Sequence, residues 1–252
     1  MTPTGEPILS VRGLTKHYGA VQALAGVDID VHAGEVLAIC GDNGAGKSTL
    51  IKLISGADTP SGGEMRLRGV PVRFASPQDA LTRGVATIYQ DLALAPRLAI
   101  YQNVFMGAEL TRGLGPLRVL DKKAMIHQAS GYMAQLGSAV TDATRPVSTL
   151  SGGQRQSVAI GRALRWNADV VVMDEPTAAL GVKETAQVLD LIRALNGTGK
   201  TVVLISHNMA DVVAVAQRVA ILKQGRKVID LPVAGLDADS LSHMVMTGRT
   251  PA

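Results

Sequence analysis

The stretch Gly41-Asp42-Asn43-Gly44-Ala45-Gly46-Lys47-Ser48-Thr49 limits this chain more than any other, because its spacing and its neighbours suit few folds. The pattern is G-x-x-x-x-G-K-[ST]; the apolar run Val36 to Cys40 precedes it and Leu50-Ile51-Lys52-Leu53-Ile54 continues it as a short helix. Glycines at those positions let successive backbone N–H groups converge on one anion, with the helix N-terminus behind them. On this reading residues Gly41, Asp42, Asn43, Gly44, Ala45, Gly46, Lys47, Ser48 and Thr49 cradle the phosphates of a nucleotide. Lys47 would reach the β- and γ-phosphates, and the Ser48 hydroxyl would ligate Mg²⁺. The bland alternative, a glycine turn at a helix start, does not need the lysine or the strand.

A second run, Val170-Val171-Val172-Met173-Asp174-Glu175, reads as a buried strand ending in two carboxylates. Adjacent acids at a strand end are often only solvated. Beside a phosphate loop they take on roles: Asp174 holds Mg²⁺, through water, and Glu175 polarises an attacking water as general base.

Composition narrows the class. With 46% hydrophobic residues among 252, the chain has enough apolar surface for a substantial core. Its longest strictly apolar runs, such as Val212 to Ala216, fall far short of the roughly 18 residues that span a bilayer. The start, MTPTGEPILSVRG, lacks the basic and apolar segments of a secretion signal. A single cysteine, Cys40, forms no intramolecular disulfide and suits a reducing compartment, so a cytosolic setting is expected. The net charge of +4 arises from 25 basic residues scattered among 21 acidic ones, and aromatics are 3%. Neither a basic stripe nor base-stacking platforms are present, which argues against nucleic acid as a partner.

The pattern along the chain is α/β. Short β-like runs at Ile8 to Val11, Val27 to Val31 and Val36 to Cys40 open it, and Glu64 to Arg68 and Val70 to Phe74 read as a hairpin around Gly69. From about residue 91 the spacing turns helical. Asp121 caps a helix whose stripe is Met125, Ala129, Tyr132, Met133 and Leu136, stopped by Gly137, and the stripe is read as core. After residue 150 helix and strand alternate: a helix from about Gln154 to Arg165, strand Val170 to Met173, a helix with Val188, Leu191, Ile192 and Leu195 on one face, then strand Thr201 to Ile205. Such alternation implies a parallel sheet covered by helices. The expected layout is residues 1–90 and 166–252 as a nucleotide-binding core with a β subdomain, and 91–165 as an inserted helical lobe.

Leu150-Ser151-Gly152-Gly153-Gln154 resembles the signature motif of ABC ATPases, and the family's motifs follow in the family's order over about residues 8–248. The resemblance implies a P-loop NTPase core with a mostly parallel sheet, an N-terminal antiparallel β subdomain and an inserted helical lobe, binding ATP with Mg²⁺ and hydrolysing it. It implies that Ser151, Gly152, Gly153 and Gln154 cap the ATP of a partner subunit, since the motif opens a helix and offers a second anion site. Tyr18, in Lys16-His17-Tyr18-Gly19, looks like the aromatic that stacks on adenine. Gln90, in Ile88-Tyr89-Gln90-Asp91, looks like the glutamine that touches Mg²⁺ and water and couples to membrane domains. His207, after Ile205-Ser206, looks like the switch histidine at the γ-phosphate. Histidines 17, 32, 127 and 243 match nothing and are read as surface or packing residues.

One departure stands out: after Asp174-Glu175-Pro176-Thr177 the family continues Ala/Ser-Leu-Asp, whereas this chain has Ala179-Leu180-Gly181. The missing carboxylate puts the usual D-loop contact across the dimer in doubt. Gly13 to Leu24, Ser76-Pro77-Gln78-Asp79-Ala80, Gln102-Asn103-Val104-Phe105-Met106-Gly107 and Met244 to Arg249 resemble the single-cassette members of the bacterial monosaccharide importers. Those imply a homodimer on the cytoplasmic face of the membrane, beneath two integral-membrane permease subunits that an extracytoplasmic sugar-binding protein feeds. An importer for another solute and a soluble ABC ATPase acting on DNA or ribosomes remain open. The second usually carries paired cassettes, zinc modules or long coiled coils, and none is visible here. A module that holds ATP without turnover is disfavoured by Glu175 and His207.

Overall fold

Strand pairing at the N-terminus runs further than the apolar pattern alone indicates. In a computed structural model that describes residues 6–113 and 118–250, the chain begins with β1 (Pro7–Tyr18), β2 (Val21–His32), β3 (Val36–Cys40), α1 (Lys47–Ile54), β4 (Gly62–Leu67), β5 (Val70–Val72), α2 (Pro77–Thr82) and β6 (Val85–Ile88). The middle carries α3 (Ile100–Phe105), β7 (Thr111–Arg112), β8 (Val119–Leu120), α4 (Lys122–Gln135) and α5 (Gly152–Arg165). Then follow β9 (Val170–Asp174), α6 (Val182–Gly197), β10 (Thr201–Ile205), α7 (Met209–Val215), β11 (Arg218–Lys223), β12 (Arg226–Pro232) and α8 (Ala238–Thr247). Residues 1–5, part of the stretch read for a secretion signal, lie outside the described residues.

The chain divides into two compact units. The first comprises residues 1–90, 168–176 and 196–252. It holds an antiparallel sheet in the order β2-β1-β4-β5 and a six-stranded sheet in the order β12-β11-β3-β10-β9-β6. In the larger sheet every neighbouring pair is parallel except β11 with β12. The α/β expectation, with a mostly parallel sheet and an antiparallel β subdomain, holds.

β3 has every residue buried, as a central parallel strand covered on both faces should. Its alternate side chains feed two cores. Leu37 and Ile39 join Leu9, Val11, Val27, Leu50, Ile54 and Val203, while Ala38 and Cys40 join Val212, Ile221, Leu241 and Met244. The second set draws on α7, β11 and α8, a region beyond His207 that the sequence pattern left unassigned. An ion-pair network pins the sheet's outer edge: Arg218 bonds Glu35 at 2.7 Å and Asp230 at 2.6 Å, and its own side chain is buried.

The second unit comprises residues 91–167 and 177–195. Asp121 caps α4 by accepting from the Ala124 N–H at 3.0 Å, and of the predicted stripe Met125, Ala129, Met133 and Leu136 are buried while Tyr132 is half-buried. Buried Asn103 stitches the loop ahead of α3, accepting from the Ala95 N–H at 2.7 Å and donating to the carbonyls of Ala95, Leu98 and Ala99. A lobe bounded at 165 omits residues 177–195, which group here because the start of α6 packs on the start of α5. The Gly152 N–H donates to the Glu184 carboxylate at 2.9 Å, and Leu180 and Gln187 crowd the α-carbons of Gly152 and Gly153.

Candidate functional site

Four strands of the larger sheet end along one edge. Ile39 pairs with Ile205, Ile205 with Asp174, and Met173 with Ile88, so the segments leaving β3, β10, β9 and β6 emerge together at their carboxyl ends. Those segments carry the glycine loop, Ser206-His207, Asp174-Glu175 and Tyr89-Gln90. Open α/β sheets take their ligands at this edge.

The loop leaving β3 needs its glycines for space and for backbone shape. Gly41, Gly44 and Gly46 have φ of 151°, 81° and 105°. A Cβ on Gly46 would lie 2.7 Å from Leu24 Cδ2 and 2.9 Å from the Ala23 carbonyl, and one on Gly41 would run into the Leu222 carbonyl. Gly46 caps α1 without a side-chain acceptor, so the first N–H groups of the helix have no side chain assigned to them at that cap. The Lys47 ammonium, buried in the loop, donates to the carbonyls of Gly41 at 2.6 Å and Asp42 at 3.0 Å. Ser48 is exposed and Thr49 half-buried beside it.

Asp174 ends β9 partly buried. Desolvation, then the adjacent Glu175 charge, push its carboxyl above the usual carboxylate range, while the Lys47 ammonium pulls the other way. Glu175 sits at φ 49°, a left-handed backbone that costs a non-glycine residue of order 1 kcal/mol or more, and its N–H is held by the Ile205 carbonyl at 2.9 Å. The Glu175 carboxylate lies 3.1 Å from His207 Nδ1. Gln90 follows β6 on the same edge and is exposed, while its neighbour Tyr89 donates its hydroxyl to Ser55 Oγ at 3.0 Å, at the end of α1. Cys40, beneath the loop, is fully buried, and burial pushes its thiol up to about 12.

Tyr18 ends β1 and is 44% exposed. Its hydroxyl donates to Asp58 Oδ2 at 2.7 Å, and the Lys16 ammonium stands 4.9 Å from the ring centroid. In the second unit, Ser151 is the N-cap of α5: its Oγ accepts from the Gln154 N–H at 3.4 Å, and Gln154 Oε1 accepts from the Ser151 N–H at 3.0 Å. The signature stretch is therefore a capped helix start whose Gly152 N–H already holds an anion, the Glu184 carboxylate.

A divalent cation fits the donor chemistry at the strand ends. Among the described residues no three His, Cys, Asp or Glu side chains form a cage for a metal on their own. One hydroxyl, Ser48, and one partly buried carboxylate, Asp174, are the sparse oxygen set that Mg²⁺ takes together with phosphates and water.

Two residues at these sites were invisible from sequence. Asp58 lies 40 positions from Tyr18 and Glu184 lies 32 from Gly152, so no local spacing links them. The capping box Ser151-x-x-Gln154 closes within one turn and so carried a local signal, although the stretch was read only as a helix start with an anion site.

The family model for "ABC transporter" matches residues 24–178. The fructose import ATP-binding protein of Rhizobium meliloti is 51% identical over 226 residues, covering 88% of this chain and 87% of that protein. The xylose/arabinose import ATP-binding protein of Sulfolobus acidocaldarius is 45% identical over 219 residues, covering 87% and 86%. The ribose import ATP-binding protein of Yersinia pestis is 42% identical over 96% of this chain, which spans only 47% of that longer relative. Among solved structures, a nucleotide-free ATP-binding cassette from an ABC transporter superposes with a TM-score of 0.80 at 26% identity, over 96% of this chain and 98% of the other. A dimeric cassette in a post-hydrolysis state bound to ADP and Pi gives 0.74 at 26% identity, over 90% and 100%.

Proposed function

The chain belongs to the ABC transporter family, and on that premise we propose that it is the ATP-hydrolysing subunit of a monosaccharide importer. The observation that carries the ATPase reading is the meeting at one sheet edge of the phosphate loop, Asp174 and the Glu175–His207 pair. The sugar reading rests on the relatives that share most of their length with this chain, whose names specify fructose and xylose or arabinose.

The loop N–H groups and Lys47 bind the triphosphate, with Lys47 exchanging its carbonyl partners for phosphate oxygens. Ser48 and, through water, Asp174 would hold Mg²⁺, and Gln90 would lie beside it and the attacking water. When bound, that cation neutralises charge on the β- and γ-phosphate oxygens. Glu175 accepts the proton of the attacking water, and its left-handed backbone fixes the direction of the carboxylate. His207 orients Glu175 through Nδ1 and turns its other ring nitrogen to the γ-phosphate. Tyr18 stacks on the adenine. Ser151 to Gln154 of one chain close over the nucleotide of a second copy, with Gly152 releasing Glu184 as phosphate arrives. The pair docks on permease subunits at the cytoplasmic face of the membrane, fed by an extracytoplasmic sugar-binding protein; among the described residues no helix is long and apolar enough to cross the membrane itself.

Glu175→Gln tests the mechanism. It should leave ATP affinity nearly unchanged, lower turnover by roughly 10²-fold or more, and trap an ATP-bound dimer. Phosphate release at the native rate would remove Glu175 from the reaction. Sugar-dependent stimulation of hydrolysis in vesicles holding the permease and its receptor tests the cargo, and stimulation by an unrelated solute alone would replace it.

A further inference from the structure

Tyr18 is an unusual exposed aromatic because both its polar tip and one ring face are held. Its hydroxyl donates to Asp58 Oδ2 at 2.7 Å, while Asp58 Oδ1 accepts from the Lys16 ammonium at 2.6 Å and from the Thr59 N–H at 2.7 Å. The Lys16 ammonium, on a buried stem, also donates to the Thr59 carbonyl at 2.8 Å and stands 4.9 Å from the centroid of the Tyr18 ring. One carboxylate therefore sets two groups at once: the direction of the phenol and the cation over the ring.

Asp58 is itself anchored to both elements it bridges. Its N–H donates to the Lys52 carbonyl at 3.0 Å, in the helix that leaves the phosphate loop. Three residues on, the Ser61 N–H donates to the Thr15 carbonyl at 2.9 Å, and Ser61 Oγ accepts from the His17 N–H at 3.0 Å, on the strand that carries Tyr18. The ring is thus referenced to the phosphate loop through α1, not only through its own strand.

We propose that Asp58 is a positioning residue for the nucleobase, holding the Tyr18 ring in the orientation on which a purine stacks; this rests on the nucleotide reading above. With Lys16 over one face, the base takes the other. A ring already fixed before binding avoids the ordering loss that a free side chain brings to an interface. The ammonium adds a cation–π contact from behind the stack. The hydrogen bonds from Lys16 and Tyr18 hold the Asp58 carboxyl down at about 2, so the clamp stays charged throughout the neutral range.

The test separates the base from the phosphates. Calorimetric titration with ATP and with inorganic tripolyphosphate, each with MgCl₂, gives two dissociation constants whose ratio reads what the nucleoside adds. Tyr18→Phe keeps the ring, removes the tether and leaves the Lys16–Asp58 pair intact, so the ratio should fall roughly fivefold. Asp58→Ala removes the tether and one of the two acceptors that hold Lys16 over the ring, and should lower it roughly tenfold, while tripolyphosphate affinity stays constant. Asp58→Asn, which keeps an acceptor for the phenol, should fall between wild type and Asp58→Ala. If Asp58→Ala fails to fold, Tyr18→Phe and Asp58→Asn decide. Equal weakening of both ligands, or no change in the ratio, would overturn the positioning role. Tyr18→Ala keeps the two failures apart. If it abolishes the nucleoside's contribution while Tyr18→Phe and Asp58→Ala retain it, stacking stands and Asp58 does not position the ring. If Tyr18→Ala retains it too, stacking on Tyr18 falls and the proposal with it.

Discussion

Replacing Gly181 with Asp restores the carboxylate that this chain lacks, and the backbone there accepts it. A glycine at a turn often marks a left-handed conformation, but Gly181 is not one: the left-handed residue in this stretch is Ala179, with φ 59°. A Cβ on Gly181 would meet no atom within 4 Å, so conformational relief does not explain the glycine. The residue stands just before α6, and its carbonyl accepts from the Thr185 N–H at 2.9 Å, which makes it the N-cap. Asp is among the best N-caps and Ala among the poorest, a difference of about 1 kcal/mol. Both substitutions also narrow the unfolded chain equally, so that gain cancels between them. For a chain of this size about 1 kcal/mol corresponds to roughly 2–4 °C in melting temperature. Gly181→Asp should therefore melt a few degrees above Gly181→Ala, with repulsion from Glu184 trimming the gap. Circular-dichroism melts of both variants and wild type measure this. If both variants lose about 1 kcal/mol or more, the backbone argument is wrong. The same proteins read out the functional gap: ATP-dependence of hydrolysis should show a Hill coefficient near one in wild type and a higher one in Gly181→Asp. A stable Asp variant with unchanged cooperativity would end the idea that the missing carboxylate loosens communication between sites.

Mixing a Lys47→Ala chain with a Ser151→Arg chain should recover activity above either alone, because each damages a different half of a composite site; no recovery in a cross-linked heterodimer that still binds one ATP would refute sharing. Gly46→Ala should destabilise by about 2 kcal/mol in urea titration, since its φ of 105° is strained for alanine and the new methyl meets Leu24 and the Ala23 carbonyl. The Cys40 thiol, pushed up to about 12 from an ordinary 9, holds its proton more tightly folded than unfolded, so its contribution to stability is intact below pH 9 and is lost as pH rises toward 12. At pH 8 maleimide should label it only through local opening, and MgATP should slow that labelling; equal rates with and without nucleotide would mean that the loop above does not govern access.

What the sequence determined by itself was everything whose bonds close within a few residues. The glycine loop was legible because strand, turn and helix are consecutive. So was the Asp121 cap, made by groups three positions apart. The α4 stripe was legible because burial repeats with the helical turn. Recognition of the family's motif order supplied Tyr18, Gln90 and His207, which spacing alone did not single out. Tertiary structure decided the rest. Strand order decided that β10 lies beside β9, and hence that His207 and Glu175, 32 residues apart, come within 3.1 Å. Packing decided that residues 177–195 group with the helical unit, through a carboxylate on the Gly152 N–H. It also placed the left-handed backbone at Ala179 and Glu175, two residues whose side chains give no local reason for it. Local hydrogen bonds and periodicities are written in neighbouring residues. The partner of Tyr18, at Asp58, exists only because two sheets and a helix share one core, and no single segment carries that information.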